Sequence, residues 1–202
     1  MGMDETVDRE LIKGILRTLA KKGVYLTTMR TQKLLYLIER QCVLDSGNRC
    51  LWLDYRFDRF GMYSPTLNSI IKSLDPKRDG LAVRGVTTER GDGREIDYVK
   101  RPGFEEKPLP EHVERAVSRV VHEWMYLKTP TLISRAKQTS PFIHAGVGEK
   151  LDWGLLAEER CDQHDELTDE AKTRLGLSKK EAQSGRCKKF DNPDEVMSYL
   201  FA

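Results

Sequence analysis

Helical periodicity covers most of the chain and is interrupted by one stretch of period two and one charged hairpin, which predicts an α+β fold that is mainly helical. The most informative stretch is residues 28–74, where an apolar helix, an alternating strand, a Phe-Gly turn and a Ser-Pro helix start follow one another. We therefore expect a winged-helix-like front half with a short β-strand and a β-hairpin, followed by a helical C-terminal half. At 202 residues, the chain is long enough to bury a sizeable core.

Two helices are predicted at the start of the chain. Residues 7–22 repeat apolar side chains at helical spacing, and Gly23 follows as a stop signal. A second helix begins at Thr27 or Thr28, either of which can cap it, and runs to about Leu44. Its predicted core face consists of Leu34, Leu35, Leu37 and Ile38, and its predicted solvent face of Arg30, Lys33 and Arg40.

From Leu51 the apolar period changes to two, which is typical of a strand with one face on a core. The side chains that we expect to face the core are Leu51, Leu53, Tyr55 and Phe57. We predict a strand over residues 51–58 that lies against a hairpin formed by residues 81–100. In that hairpin, strands 81–88 and 95–100 are joined by a glycine-containing turn over residues 89–94.

Ser64-Pro65 predicts the start of a third helix, because the serine oxygen can accept an orphan backbone N–H and proline is tolerated at the first helical position. That helix runs to Leu74 and turns Leu67, Ile70, Ile71 and Leu74 inward. Further helices are predicted over residues 113–124 and 129–137, with a break at Ser140-Pro141. Short pieces are predicted at residues 168–175, 178–184 and 194–201.

These elements divide the chain into three predicted segments: a winged-helix-like domain at 1–104, a helical extension at 105–157 packed on it, and a short-helix tail at 158–202. The charge follows the same division. Residues 1–104 hold 19 Lys and Arg against 14 Asp and Glu, whereas residues 105–202 hold 15 against 18. Without an apolar run of about 18 residues or a signal peptide, we expect a cytoplasmic protein with no membrane contact.

The front half has the layout of a winged helix-turn-helix, in which the last helix enters the major groove of double-stranded DNA and the hairpin follows the backbone. Small polar donors and cations would make these contacts. The candidate nucleic-acid-binding residues are Thr66, Asn68, Ser69, Lys72, Lys77, Arg78, Arg90 and Arg94. The alternative is that they form an ordinary solvated helix face and a charged hairpin tip.

Other residues that could carry chemistry lack the spacing that it requires. Structural zinc needs two close pairs of ligands, whereas Cys161, His164 and Cys187 offer one short pair and a remote cysteine. Cys42 is expected to pack in the core. His112 and His122 have no accompanying nucleophile in a strained elbow. We therefore predict no enzymatic activity, no metal and no cofactor.

Two apolar groups could bind a partner or could simply belong to the core. The first is the aromatic cluster of Tyr36, Tyr55, Phe57, Phe60 and Tyr63. The second is the C-terminal helix, which Asn192-Pro193 can start and which carries the stripe Val196, Tyr199, Leu200 and Phe201. A helix this short is unstable alone, so the stripe docks on the protein's own body, on a partner protein or on a second copy of the chain.

Two motifs carry a family resemblance. Gln32-Lys-Leu-Leu-Tyr-Leu37 in the second helix and Phe57-Asp-Arg-Phe-Gly-Met-Tyr-Ser-Pro65 resemble the Panacea-type, phage-associated domain of bacteria and archaea. The resemblance covers about residues 8–104. It departs from the family pattern at Met62, where many members have proline, and in lacking a tryptophan just before the turn.

The resemblance implies a small prokaryotic domain without enzymatic activity. Such domains are often encoded beside a toxin, which they neutralise or deliver to a protease as an adaptor. We therefore expect a protein-binding module, with a DNA-binding transcriptional regulator as the alternative. The two functions are compatible, since antitoxins often bind their own promoters.

Overall fold

The computed structural model describes residues 7–88, 91–100 and 106–156, which all belong to one compact unit, Met1–Arg160. The helices are α1 (Arg9–Lys21), α2 (Thr28–Ser46), α3 (Pro65–Lys72), α4 (Glu111–Trp124), α5 (Thr129–Ala136) and α6 (Ser140–Ile143). The strands are β1 (Arg56–Asp58), β2 (Gly61–Tyr63), β3 (Leu81–Thr88) and β4 (Gly91–Tyr98). The fold is thus α+β and mainly helical, as predicted. The short pieces predicted beyond residue 160 lie outside the described residues.

The helix starts follow the capping signals in the sequence. The side chains of Asp8, Thr27 and Ser64 accept hydrogen bonds from backbone N–H groups at the starts of α1, α2 and α3. Gly47 ends α2 with a φ of 77°, a conformation that glycine adopts without strain. None of the described helices is long and apolar enough to cross a membrane.

Helix α2 lies at the centre of the fold and is buried on nearly every side. It contacts α4 and α5 on one side and β2, α3 and β4 elsewhere. The prediction that Arg30 and Lys33 face solvent is therefore wrong, because their residues are only 4% and 2% exposed. Long polar side chains are tolerated there because their polar ends reach backbone carbonyls. Arg40 is half-buried.

The strand predicted over residues 51–58 is shorter and pairs differently. Only Arg56–Asp58 forms β1, which pairs with β2 and not with the 81–100 hairpin. Leu51, Leu53 and Tyr55 are buried as predicted, although no regular strand contains them. The reason is at Trp52, whose φ of 54° breaks an extended strand and whose N–H is bonded to the Glu39 carboxylate rather than to a neighbouring strand.

The second hairpin, β3–β4, is antiparallel and runs in register from Leu81 opposite Tyr98 to Thr88 opposite Gly91. Strand β4 begins four residues earlier than predicted. Its far edge is covered by the segment before α2, because the Ile96 N–H donates to the Leu26 carbonyl at 2.8 Å. The hairpin is therefore attached to the body of the fold through β4.

The helices after residue 106 share a core with the front half. Val113, Val117 and Val120 of α4 and Leu132 of α5 belong to the same buried cluster as the leucines of α2. The helices predicted near residues 113–124 and 129–137 are confirmed. Ser140-Pro141, predicted as a break, also begins the short α6.

Candidate functional site

The position of α3 is set by a side chain of α2. Gln32 accepts a hydrogen bond from the Ser64 N–H at 2.9 Å and donates to the Ser64 carbonyl at 3.1 Å. The Ser64 hydroxyl accepts from the Leu67 N–H and donates to Asp54 at 2.8 Å. All polar groups of Ser64 thus have partners, although the residue is fully buried.

The preceding turn is held by the next residue of α2. Lys33 donates to the Met62 carbonyl at 3.0 Å, and burial lowers the pKa of its ammonium group to about 8, against the opposing attraction of Asp58. Gly61 has a φ of 95°, which glycine adopts without strain, and a Cβ there would lie 3.4 Å from the Lys33 Cε. Gln32 and Lys33, the first two residues of the Gln-Lys-Leu-Leu-Tyr motif, therefore have a structural role: they hold the segment before α3 against α2.

A groove lies between the C-terminal end of α3 and the β3–β4 hairpin. It has a volume of about 490 Å³ and is open to solvent. Its lining consists of Lys72, Leu74, Pro76, Ala82, Val83 and Arg94. Four of these side chains are apolar, and the two cations stand on opposite walls, one on α3 and one on β4. We call this feature the α3–hairpin groove.

The two cations of the groove are the predicted nucleic-acid-binding residues that the structure brings together. Lys72 and Arg94 are both exposed, and neither makes an ion pair within the described part of the chain. The remaining predicted residues of α3, Thr66, Asn68 and Ser69, lie half-buried or exposed along the helix. Their predicted role in binding stays a prediction.

The loop after α3 uses its charges within the protein. Arg78 bonds to Asp79 at 3.1 Å and to the Ser73 carbonyl at 2.9 Å. Lys13 of α1 also reaches Asp79, at 3.0 Å. Burial alone would raise the pKa of the Asp79 carboxyl, but the bonds from Arg78, the Asp75 N–H and Lys13 hold it at about 2. Arg78 therefore takes part in a structural network although it is exposed, and Lys77 beside it is exposed as well.

A second polar cluster surrounds Glu39 in the centre of the fold. Its Oε1 accepts from Arg49 at 2.9 Å and from the Trp52 N–H at 2.8 Å. The Arg49 guanidinium lies 5.0 Å from the Trp52 ring and 4.6 Å from the Trp153 ring. Burial raises the pKa of Glu39 to about 7, against the opposing effect of Arg49. This cluster organises the irregular segment before β1.

The other sequence-based candidates divide between the core and parts of the chain that the structure does not describe. Cys42 is buried, as predicted, and the aromatic cluster is mostly core: only Phe60 of its members is exposed. His112 and His122 are exposed on α4. Within the described residues, no group of His, Cys, Asp or Glu could hold a metal ion. Outside the described residues lie Arg90, Cys161, His164, Cys187, Val196, Tyr199, Leu200 and Phe201.

Sequence reasoning missed the apolar floor of the groove. Leu74 was predicted to face the core and is nearly buried, but it also lines the groove. Ala82 and Val83 read only as strand residues, because nothing local in the sequence shows which helix faces them. Comparison of the chain with protein-family profiles, curated proteins and solved structures returned no match. The functional interpretation therefore rests on the geometry and on the motifs.

Proposed function

We propose that this protein is a non-enzymatic, cytoplasmic protein-binding module of the antitoxin or proteolytic-adaptor type, which neutralises or delivers a partner protein. The observation that carries the proposal is the α3–hairpin groove, with its apolar floor and two cations that make no ion pair with the residues described by the structure. A mixed apolar and charged surface of this kind suits a polypeptide, whose side chains can fill the floor and whose carboxylates can reach the cations.

The charge distribution around the groove favours a protein partner over nucleic acid. Proteins that bind the DNA backbone neutralise several phosphates with free Lys and Arg side chains. Here Arg78 is bound to Asp79, and Arg84 on β3 is bound to Asp97 at 2.6 Å. Two cations, Lys72 and Arg94, line the groove, and the other four lining residues are uncharged and apolar.

The family resemblance supports the same function. The Gln-Lys-Leu-Leu-Tyr motif and the aromatic-Gly-Ser-Pro turn contact each other directly through Gln32 and Ser64. Two motifs of one family pattern thus meet at the base of α3, the helix that forms one wall of the groove. A toxin encoded beside this protein is the expected partner.

Co-expression with the product of the adjacent reading frame tests the proposal. We expect that product to slow growth when expressed alone, growth to recover with this protein, and the two chains to co-elute in size-exclusion chromatography. Lys72→Glu combined with Arg94→Glu should abolish co-elution and rescue. The matched control is Lys128→Glu, since Lys128 is exposed at the start of α5, away from the groove. Rescue that survives the double reversal would refute the role of the groove.

A DNA-binding regulator is the second candidate function. It is favoured by the exposed polar side of α3 and by the position of Arg94 on a hairpin that follows this helix. The two functions use the same face of the molecule, so a bound partner would compete with DNA.

A further inference from the structure

One edge of β3 has no backbone partner in the described chain. The Ile96 N–H points away from β3, toward Leu26, so Ile96 and Val83 form a non-hydrogen-bonded pair across the hairpin. The N–H and carbonyl of Val83 therefore also point outward, and by alternation so do those of Gly85 and Thr87. No described backbone group bonds to these outward donors and acceptors.

This edge lacks most of the features that usually protect a free strand edge. Natural edge strands are kept from pairing by proline, by charged side chains and especially lysine, by a bulge or by short length. Strand β3 is eight residues long, reads Leu-Ala-Val-Arg-Gly-Val-Thr-Thr and contains neither proline nor lysine, and its one charged residue, Arg84, is paired with Asp97 of β4. Its register with β4 runs without a bulge. A Cβ at Gly85 would meet no atom within 4 Å, so one face of the hairpin is uncovered at the middle of this strand.

The free edge adjoins the α3–hairpin groove. Ala82 and Val83 are consecutive residues of β3, and both line the groove together with Leu74 and Pro76 on the opposite side. An extended chain that bonds to the edge would place alternate side chains against this apolar surface. Lys72 and Arg94 would then lie within reach of its acidic side chains.

We propose that β3 accepts an extended peptide segment with apolar and acidic residues, which adds to the β3–β4 hairpin as a third strand and fills the α3–hairpin groove. The inference rests on the proposed function and names the class of segment that the partner presents. Hydrogen bonds from the peptide backbone to Val83, Gly85 and Thr87 set the register of the added strand. Lys72 and Arg94 favour peptides with acidic side chains.

Charge argues against a second copy of the chain as the occupant. Pairing of two β3 edges would bring two sets of Lys72 and Arg94 together across a two-fold axis, and β3 itself offers no acidic residue to balance them. An acidic partner segment has the complementary charge.

The probe for the test is a fluorescein-labelled nine-residue peptide of alternating valine and glutamate, titrated by fluorescence anisotropy against the full-length protein. A peptide of alternating valine and lysine serves as the charge control. We expect the glutamate peptide to bind at least tenfold more tightly than the lysine peptide. The preference should reverse in Lys72→Glu combined with Arg94→Glu.

Gly85→Pro tests the strand addition itself. Proline removes an outward N–H and adds bulk at the edge, but leaves the hydrogen bonds to β4 in place. We expect at least a tenfold loss of affinity for the glutamate peptide. Gly85→Ala, which keeps the N–H and enters open space, should bind within about twofold of the wild type. Equal binding by the proline variant and the wild type would overturn the proposal.

Amide hydrogen exchange supplies a second readout. In the free protein, the amides of Val83, Gly85 and Thr87 should exchange faster than those of Arg84 and Val86, and the peptide should slow them. Slow exchange of these amides in the free protein would mean that another part of the chain or a second copy already bonds to the β3 edge, and would overturn the proposal.

If co-elution with the adjacent gene's product survives Gly85→Pro but not the charge reversals, strand addition is wrong and the proposed function stands. Failure of the wild type to bind that product would overturn the function instead.

Discussion

At the residue scale, polar side chains of α2 form hydrogen bonds to the backbone of segments that are distant in sequence. Gln32 satisfies both backbone groups of Ser64, Lys33 holds the Met62 carbonyl, and Arg30 donates to the carbonyls of Leu127 and Met125 at 2.6 Å. Each tie connects α2 to a residue at least 29 positions away in sequence. Loss of one tie leaves buried backbone groups without partners, which is more costly than the loss of a surface contact.

Gln32→Ala is expected to destabilise the protein by about 2–5 kcal/mol, because it leaves the N–H and the carbonyl of Ser64 buried and unpaired. Urea unfolding followed by circular dichroism measures the change. Gln41→Ala is the matched control, since Gln41 is also buried on the same helix but its described hydrogen bond goes to the Asp45 side chain one turn away and not to a remote backbone group. Its cost should be the smaller of the two, at about 1 kcal/mol. Equal costs for the two variants would contradict the structural role of Gln32.

Glu39 predicts a dependence of stability on pH. Its pKa rises from 4.5 to about 7 on folding, so between these values the folded state binds a proton that the unfolded state has lost. The stabilisation is complete below pH 4.5 and is lost as the pH rises to about 7. Over this range the wild type should lose about 3 kcal/mol more than Glu39→Gln, which cannot ionise. Parallel pH profiles of the unfolding free energy for the two proteins would refute the shift.

At the element scale, α3 and the β3–β4 hairpin form the face of the fold that carries the α3–hairpin groove. Helix α3 is fixed at its start by Ser64 and buries Leu67, Ile70 and Ile71, which leaves its outer side free. The hairpin is attached through β4, and the outer edge of β3 has no backbone partner among the residues that the structure describes. A face of this kind can accept either a polypeptide or a nucleic acid, and the two differ in their response to salt.

For the DNA-binding alternative, electrophoretic mobility shifts across a salt series give the decisive measurement. Affinity should fall steeply between about 50 and 200 mM salt if several phosphates are contacted. Lys72→Glu combined with Arg94→Glu should weaken binding further at every salt concentration, while Lys128→Glu should change it little. Absence of binding at the lowest salt concentration, or no loss in the double variant, would remove the DNA-binding function.

At the scale of the whole molecule, one hydrophobic core spans the segments that the sequence had divided near residue 104. Val117 of α4 is fully buried in the same cluster as Leu35 of α2. Arg30 adds hydrogen bonds from α2 to the backbone that ends α4. Elements that share a core in this way unfold together when the domain is small.

Val117→Ala should therefore lower stability by about 2 kcal/mol and should do so equally by every probe. Far-UV circular dichroism reports the helices, and tryptophan fluorescence reports Trp52 in the front half together with Trp124 and Trp153. We expect coincident midpoints in both proteins, shifted together in the variant. Ser118→Ala, on the exposed side of the same helix, should stay within about 0.5 kcal/mol of the wild type. Two separate transitions within the described part would favour two independent domains.

The sequence by itself determined the features that depend on neighbours within about four residues. The caps at Thr27 and Ser64 and the inward stripe of α3 could be predicted, because their physical causes are local. The tertiary structure alone decided the attachment of β4 to the segment before α2 and the burial of Lys33. It also decided the apolar floor beside Lys72 and Arg94. These features depend on segments far apart in sequence, and no periodicity within one segment specifies which remote backbone or side chain will face it.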